Sequence, residues 1–340
     1  MAGASGPTKS VLQSLLTQLD EIERGPGGGV ITFPGGPAPS AVEGRLDVTS
    51  LRKVFWPGAS KRTKGDLFRH YVRVAPMILP VLADRPLVMK RYPNGVAGAP
   101  FYQHRAPDKV PQGVRIERVS TGNETRPHLI GGSLTTLLYT AQLGSISQDP
   151  WFSRAGSAGE IDHIAIDLDP PDDLPYRKVL DVALWVRDAL ATLKTTGFAK
   201  TSGAGGLHVY VPMPPGTTYD SGFLFAQIVA TMVAGQHPKQ ATVERSIKAR
   251  GRRIYVDYMQ NVLGKTLASA YSARASEFAG VSTPLTWDEV EEGVSPRDFT
   301  IANFDQRMKA AGDPWRGLRT AKGPDLKTVL TTKVAKNAKK

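Results

Sequence analysis

Apolar runs interrupted by a few polar residues fill the middle of the chain. In HIAIDLD (163–169) the positions Ile164, Ala165, Ile166 and Leu168 are apolar, and LHVYVPM (207–213) repeats the pattern. Runs of this kind predict short strands buried on both faces. Between them, LDVALWVRDALATLK (180–194) has the spacing of an amphipathic helix. RLDVTS (45–50) and PLVMKRY (86–92) read as further strands. KGDLFRHYVRVAPMILPVL (64–82) and GSLTTLLYTAQLG (132–144) read as helices. Near the start, Leu12, Leu15, Leu16, Leu19 and Ile22 predict one more helix over 9–24, which GPGGG (25–29) ends.

Loop signals divide the chain into three parts. PGGPAPS (34–40) follows the first helix, so residues 1–40 are expected to form a helix on a flexible joint. Residues 41–315 mix strands and helices without a break in composition and are expected to be one domain. Residues 316–340 hold eight Lys/Arg and one acid and are expected to be a basic, mobile tail.

Composition narrows the class. With 340 residues and 41% hydrophobic positions the chain can bury a sizeable core. It has no cysteine, which excludes disulfides and thiolate metal sites, and fits a reducing cytoplasm. No signal peptide and no run of about 18 apolar residues is visible, so a membrane partner is not expected. The net charge of +12 favours a polyanionic partner, nucleic acid above all, over a merely basic soluble enzyme.

Against this background the acids in the apolar runs stand out. Asp167 and Asp169 are two residues apart on a strand and therefore share a face. Pro170 and Pro171 end the strand just past them. Side by side they are either two solvated acids at a strand end or an oxygen site for a hard cation such as Mg²⁺ or Mn²⁺. In TSGAGGLHVYVPM (201–213) a glycine-rich loop leads from Ser202 into a strand where His208 and Tyr210 share one face. Its backbone N–H groups are a candidate phosphate cradle. In RRIYVDYMQN (252–261), Asp257 is a candidate third carboxylate. Lys248, Arg253, Lys265 and Arg274 supply nearby cations.

In this order, DLDP, TSGAGGLHVYVP, VDYMQN, YSAR and TPLTWDEV resemble the polymerase domain of bacterial DNA ligase D, of the archaeo-eukaryotic primase superfamily. The resemblance covers roughly 41–313 and includes RKVFWPG, TKGDLFRHY, RPLVMKRYPNG and FTIANFDQRM. No KxDG ligase motif and no His-rich phosphoesterase module accompanies it, as in a stand-alone relative. The resemblance implies an α/β (α+β) fold of mainly antiparallel sheets lining a central cleft with flanking helices, one half like an RNA-recognition motif. It implies that Asp167, Asp169 and Asp257 hold two divalent cations, Mn or Mg. It also implies that Ser202, His208, Arg274 and Lys265 contact a nucleoside triphosphate.

The same resemblance makes Lys53 and Lys64 a pair gripping the 5′-phosphate of gapped or primed DNA, with Lys61 as an alternative partner for Lys53. Phe101 and Tyr102 become a platform for a template base, or else ordinary core. The implied activity is template-directed nucleotidyl transfer that fills short gaps or extends ends in DNA repair, with a preference for ribonucleotides. A separate DNA ligase and end-binding repair proteins are the partners it implies, in a cytoplasmic, nucleoid-associated setting. A primase that starts chains de novo and a non-catalytic nucleic-acid scaffold are the alternatives. One departure is visible: where the family often reads Glu-x-His before a Trp, this chain has Ser147 and Asp149 before Trp151.

Overall fold

The HIAIDLD run forms the central strand, His163–Asp169, of a six-stranded sheet. A computed structural model describes the chain at residues 6–33, 44–58, 61–122 and 124–331. The sheet runs in the order Ala241–Thr242, Ile254–Asp257, His163–Asp169, Leu207–Pro212, Phe198–Thr201, Pro284–Leu285. Every pairing is antiparallel except that of the first two strands. The central strand is buried along most of its length because helices Tyr176–Thr192 and Tyr219–Gln236 pack against the sheet. The approach is close: a Cβ at Gly222 would stand 2.1 Å from Ile161 Cδ1 and 2.9 Å from Ile164 Cγ2. Ile164, Ile166 and Leu168 thus face the helices, and the alternation turns Asp167 and Asp169 to the opposite face.

The other half is built on helix Lys64–Leu82. Thr63 and Asp66 close a capping box at its N-terminus. Nearly all its sides are buried, and it contains Pro76 and Pro80. Helix Leu134–Gln142 packs beside it. A three-stranded antiparallel sheet of Phe101–Gln103, Leu87–Arg91 and Asp149–Pro150 completes this half. Mixed α/β architecture with antiparallel sheets is therefore what the chain adopts.

The division into three parts is corrected at both ends. Helix Lys9–Arg24 is packed rather than appended: Leu15 and Leu19 are fully buried in the same core as Tyr71, Ile166 and Val233. Its acids hold Arg69, through Asp20 at 2.8 Å and through Glu23. Strand Gly29–Phe33 continues it and pairs with Gly44–Val48. The apolar stripe has a partner in helix Lys64–Leu82, and burying two leucines outweighs a glycine-rich joint. The proline-rich loop at 34–40 lies outside the described residues. At the other end, helix Leu326–Thr331 buries Val329 in the core, so the basic segment is docked as far as residue 331. Residues 332–340 lie outside the description. Among the described residues no helix is long and apolar enough to cross a membrane.

Candidate active site

Four polar side chains form one row across the sheet. Asp257 is the register partner of Asp167, Asp167 of His208, and His208 of Lys200. Residues in such a row project to the same face. Asp169 lies two residues along from Asp167 on that face. The middle of the row, Asp167 and His208, borders an open cleft of about 650 Å³, lined also by Asp169, Ser202 and Arg274 from one half and by Lys90, Tyr102, Ser147 and Asp149 from the other, while Asp257 and Lys200 are not among the residues that line it.

Electrostatics mark Asp167 and Asp169 as disfavoured in their charged forms. Burial, and then the Asp257 and Asp169 carboxylates, push the Asp167 carboxyl up to about 7. Burial raises Asp169 as well, against the pull of Arg250, whose Nη1 is 3.4 Å from Asp169 Oδ2. Asp257 is buried beside them. Its Oδ1 accepts from Met259 N at 2.6 Å and its Oδ2 from Gln260 Nε2 at 2.9 Å. Among the described residues no three metal-ligating side chains stand together in coordinating geometry, and these two donors occupy the oxygens a cation would claim. The donor set nevertheless fits: three carboxylates, no sulfur, and a charge conflict at Asp167 that a hard divalent cation would relieve.

The glycine loop is fixed by its own serine. Ser202 Oγ accepts from Ala204 N at 3.1 Å and from Gly206 N at 3.0 Å. Two of the N–H groups expected to cradle phosphate are therefore already taken, which corrects that part of the sequence reading. Gly203 adopts φ +75°, and a Cβ there would meet Arg274 Cγ at 2.5 Å. This close fit lets Arg274 Nη1 donate to Ser202 O at 2.7 Å while Arg274 still borders the cleft. Behind the central strand, Asn261 is fully buried. Its Oδ1 accepts from Ala165 N and its Nδ2 donates to Ala165 O, both at 2.8 Å.

The remaining expected residues divide. Phe101 and Tyr102 are 45% and 62% exposed, which settles against core packing. Tyr102 borders the cleft, with Lys90 Nζ 5.4 Å from its ring. Lys53 is exposed and Lys64 buried. The two are close enough that Lys53, after burial itself and ahead of Arg91, helps lower the Lys64 ammonium to about 8. Lys265 is exposed and is not among the residues bordering the cleft, so the structure does not bring it to the expected site. Asp149 and Ser147 border it and share a 2.7 Å hydrogen bond donated by Ser147 Oγ. Burial raises the Asp149 carboxyl, opposed by Arg274, Lys90 and Lys200. Lys200, absent from the sequence reading, is the largest addition. Its signal is a lysine inside the apolar FAKT strand that runs directly into the glycine loop.

Comparison with known proteins places the chain in a family. The family described as "LigD, primase-polymerase domain" matches residues 63–315. The bifunctional non-homologous end joining protein LigD of Bacillus subtilis (strain 168) is 31% identical over 275 residues, covering 81% of this chain and 44% of that protein. The multifunctional non-homologous end joining protein LigD of Mycolicibacterium smegmatis is 29% identical over 250 residues, 73% of this chain and 33% of that protein. The chain thus spans less than half the length of these relatives. The solved polymerase domain of Mycobacterium tuberculosis ligase D in complex with DNA superposes with a TM-score of 0.75 at 28% identity, covering 82% of this chain and 99% of that one. The chain belongs to the LigD primase-polymerase domain family of nucleotidyltransferases.

Proposed function

We propose that this protein extends a DNA primer strand by template-directed nucleotidyl transfer, filling short gaps and extending ends during end-joining repair, with ribonucleotides preferred. The observation that carries the reading is the meeting of Asp167 and Asp169, which border the cleft, with Asp257, the register partner of Asp167, while Arg274, Lys90 and Tyr102 line the same cleft. Asp167, Asp169 and Asp257 hold two divalent cations, Mn or Mg. Divalent cations held by these carboxylates would supply activation of the primer 3′-hydroxyl and neutralisation of charge on the leaving phosphates.

The chain's own groups do the rest. Arg274 and the N–H of His208 bind the triphosphate, and Ser202 keeps the loop beneath it closed. Tyr102 and Phe101 stack on the template base, a contact worth about 1–3 kcal/mol per base. Lys53 and Lys64 take the 5′-phosphate across the gap. A separate DNA ligase seals the product, and end-binding repair proteins present the ends.

The test is extension on gapped, primed and unprimed templates, with rNTPs against dNTPs and Mn²⁺ against Mg²⁺. Extension of primed and gapped DNA that is faster with rNTPs supports the reading. Synthesis on unprimed template alone would make the protein a primase. Binding without any synthesis would leave a scaffold.

A further inference from the structure

The row across the sheet ends in a lysine that no step above uses. Lys200 is fully buried and makes no ion pair among the described residues. Its Nζ lies 2.7 Å from His208 Nδ1 and 2.6 Å from Ser282 Oγ, with the Tyr210 ring 5.4 Å away. A buried amine is retained in an apolar strand at considerable cost unless its hydrogen bonds do something that an apolar side chain cannot.

The direction of these hydrogen bonds follows from their ends. Ser282 Oγ donates its one proton to Thr201 O at 3.0 Å, so it accepts from Lys200. Lys200 Nζ then directs another N–H at His208 Nδ1. On the far side of the imidazole, Nε2 stands 3.4 Å from Asp167 Oδ1, an acceptor when ionised. A proton on Nε2 satisfies both neighbours. A proton on Nδ1 would face the lysine's donors and leave the Nε2 lone pair against a carboxylate oxygen, two unfavourable contacts in a buried site.

We propose that Lys200 is a positioning residue: by donating to His208 Nδ1 it locks the imidazole as the Nε2–H tautomer and aims that N–H at the cleft beside Asp167, where it serves the incoming nucleotide. The consequence for nucleotide binding rests on the proposed role of His208, whereas the tautomer does not. Ser282, anchored on Thr201, holds the lysine in line. Lys200 touches no substrate; its effect passes through the ring it orients.

Two measurements on the full chain test this. Nitrogen-15 NMR of the histidine side chains, with the His208 signal assigned by its loss in His208→Ala, reads the tautomer directly. The proton is expected on Nε2, and a proton on Nδ1 overturns the lock whatever His208 binds. The second is a double-mutant cycle on the KM for nucleotide during primer extension. Lys200→Met keeps side-chain length and removes the donor. It should raise KM about tenfold, the size of one lost hydrogen bond in a charged network, with DNA affinity within about twofold. On a His208→Ala background the same change should add nothing. Additive losses of about a hundredfold in the double variant would show that Lys200 acts independently of the ring and would overturn the proposal. Should Lys200→Met not fold, as judged by circular dichroism, Ser282→Ala takes its place in the cycle with an expected rise of about threefold. An unchanged KM in His208→Ala would remove His208 from the nucleotide and sink that part of the functional reading. The imidazole spectrum would then still decide the lock.

Discussion

Asp167 and Asp257 face each other as register partners on neighbouring antiparallel strands, close enough that the Asp257 carboxylate adds to burial in disfavouring ionisation of Asp167. Two like charges placed opposite each other destabilise a sheet. Asp167 borders the cleft, and its charge conflict is one that a bound divalent cation would relieve. Asp167→Ala and Asp169→Ala should each lower primer extension by about a thousandfold or more, because charge neutralisation and positioning carry most of phosphoryl-transfer catalysis. Affinity for DNA should hold or rise slightly, since a negative charge is lost from a basic protein. Extension assays paired with a DNA-binding titration check both halves, and near-normal extension by either variant would remove the carboxylates from the reaction.

The same repulsion sets a pH dependence of stability in cation-free protein. In the fold the Asp167 carboxyl titrates at about 7, and in the unfolded chain near the ordinary value of about 4. Between these values the folded state keeps a proton that the unfolded state has released. This contribution is therefore complete below about pH 4 and is lost as pH rises through about 7. Thermal unfolding at pH 5 and pH 8 should show a larger drop in Tm for the natural protein than for Asp167→Asn, which cannot ionise. Adding Mn²⁺ at pH 8 should raise the Tm of the natural protein and leave Asp167→Asn nearly unmoved. Equal pH slopes for the two proteins would contradict the burial and crowding of this carboxyl.

Much of this was legible in the sequence, and for stated physical reasons. A strand alternates faces, so Asp167 and Asp169 had to point together. Burial of the apolar runs located the central strands, and the helix over 9–24 was visible in its leucine spacing. What failed was the assignment of long-range partners. Leu15 and Leu19 need helix Lys64–Leu82 to cover them, and nothing local tells a docked amphipathic helix from a free one. Val329 hid in a segment whose lysines dominate its composition. Lys200 escaped because a single lysine in a short strand reads as a surface charge. Only the strand register that sets it against His208 shows its purpose. Lys265 enters as a triphosphate contact only through the family resemblance, and here it is exposed and is not among the residues lining the cleft.

Asn261 extends the sheet without being a strand. The strand Ile254–Asp257 pairs with the central strand only from Asp167 to Asp169, and the Asn261 amide takes over the hydrogen bonds of Ala165 beyond that point. It also donates to Tyr258 O at 2.8 Å. Asn261→Ala leaves the buried N–H and C=O of Ala165 unpaired, a cost of about 2–4 kcal/mol from two backbone groups. Asn261→Asp should be no better, because a carboxylate accepts from Ala165 N but meets Ala165 O with no proton to give. Urea unfolding of the three proteins checks this, and an Asp variant as stable as the natural protein would show that the donor half of the clamp carries nothing.

Lys64 is a buried ammonium with only a carbonyl to bond: its Nζ donates to Thr49 O at 3.0 Å and forms no ion pair among the described residues. Its electrostatic neighbours, Lys53 and Arg91, repel it. Lys53 in turn donates to Pro93 O at 2.6 Å and Asn94 Oδ1 at 3.2 Å, again with no carboxylate partner. A cluster of this kind gains most from an anion, and a terminal 5′-phosphate offers more charge and more free oxygens than an internal diester. The natural protein should therefore bind a gap with a 5′-phosphate about tenfold more tightly than one ending in hydroxyl, the low end for a hydrogen bond to a charged group. Lys53→Ala with Lys64→Ala should erase the difference and leave binding to the rest of the duplex. The preference should also depend on pH with a definite sign. Free Lys64 loses its proton as pH rises through about 8, while a phosphate beside it favours the charged form, so the preference should be fullest below pH 8 and shrink above it. Titrations of natural and double-variant protein on both gaps at pH 7 and pH 9 decide the matter. Equal affinity of the natural protein for the two gaps at pH 7 would take the 5′-phosphate away from this pair of lysines.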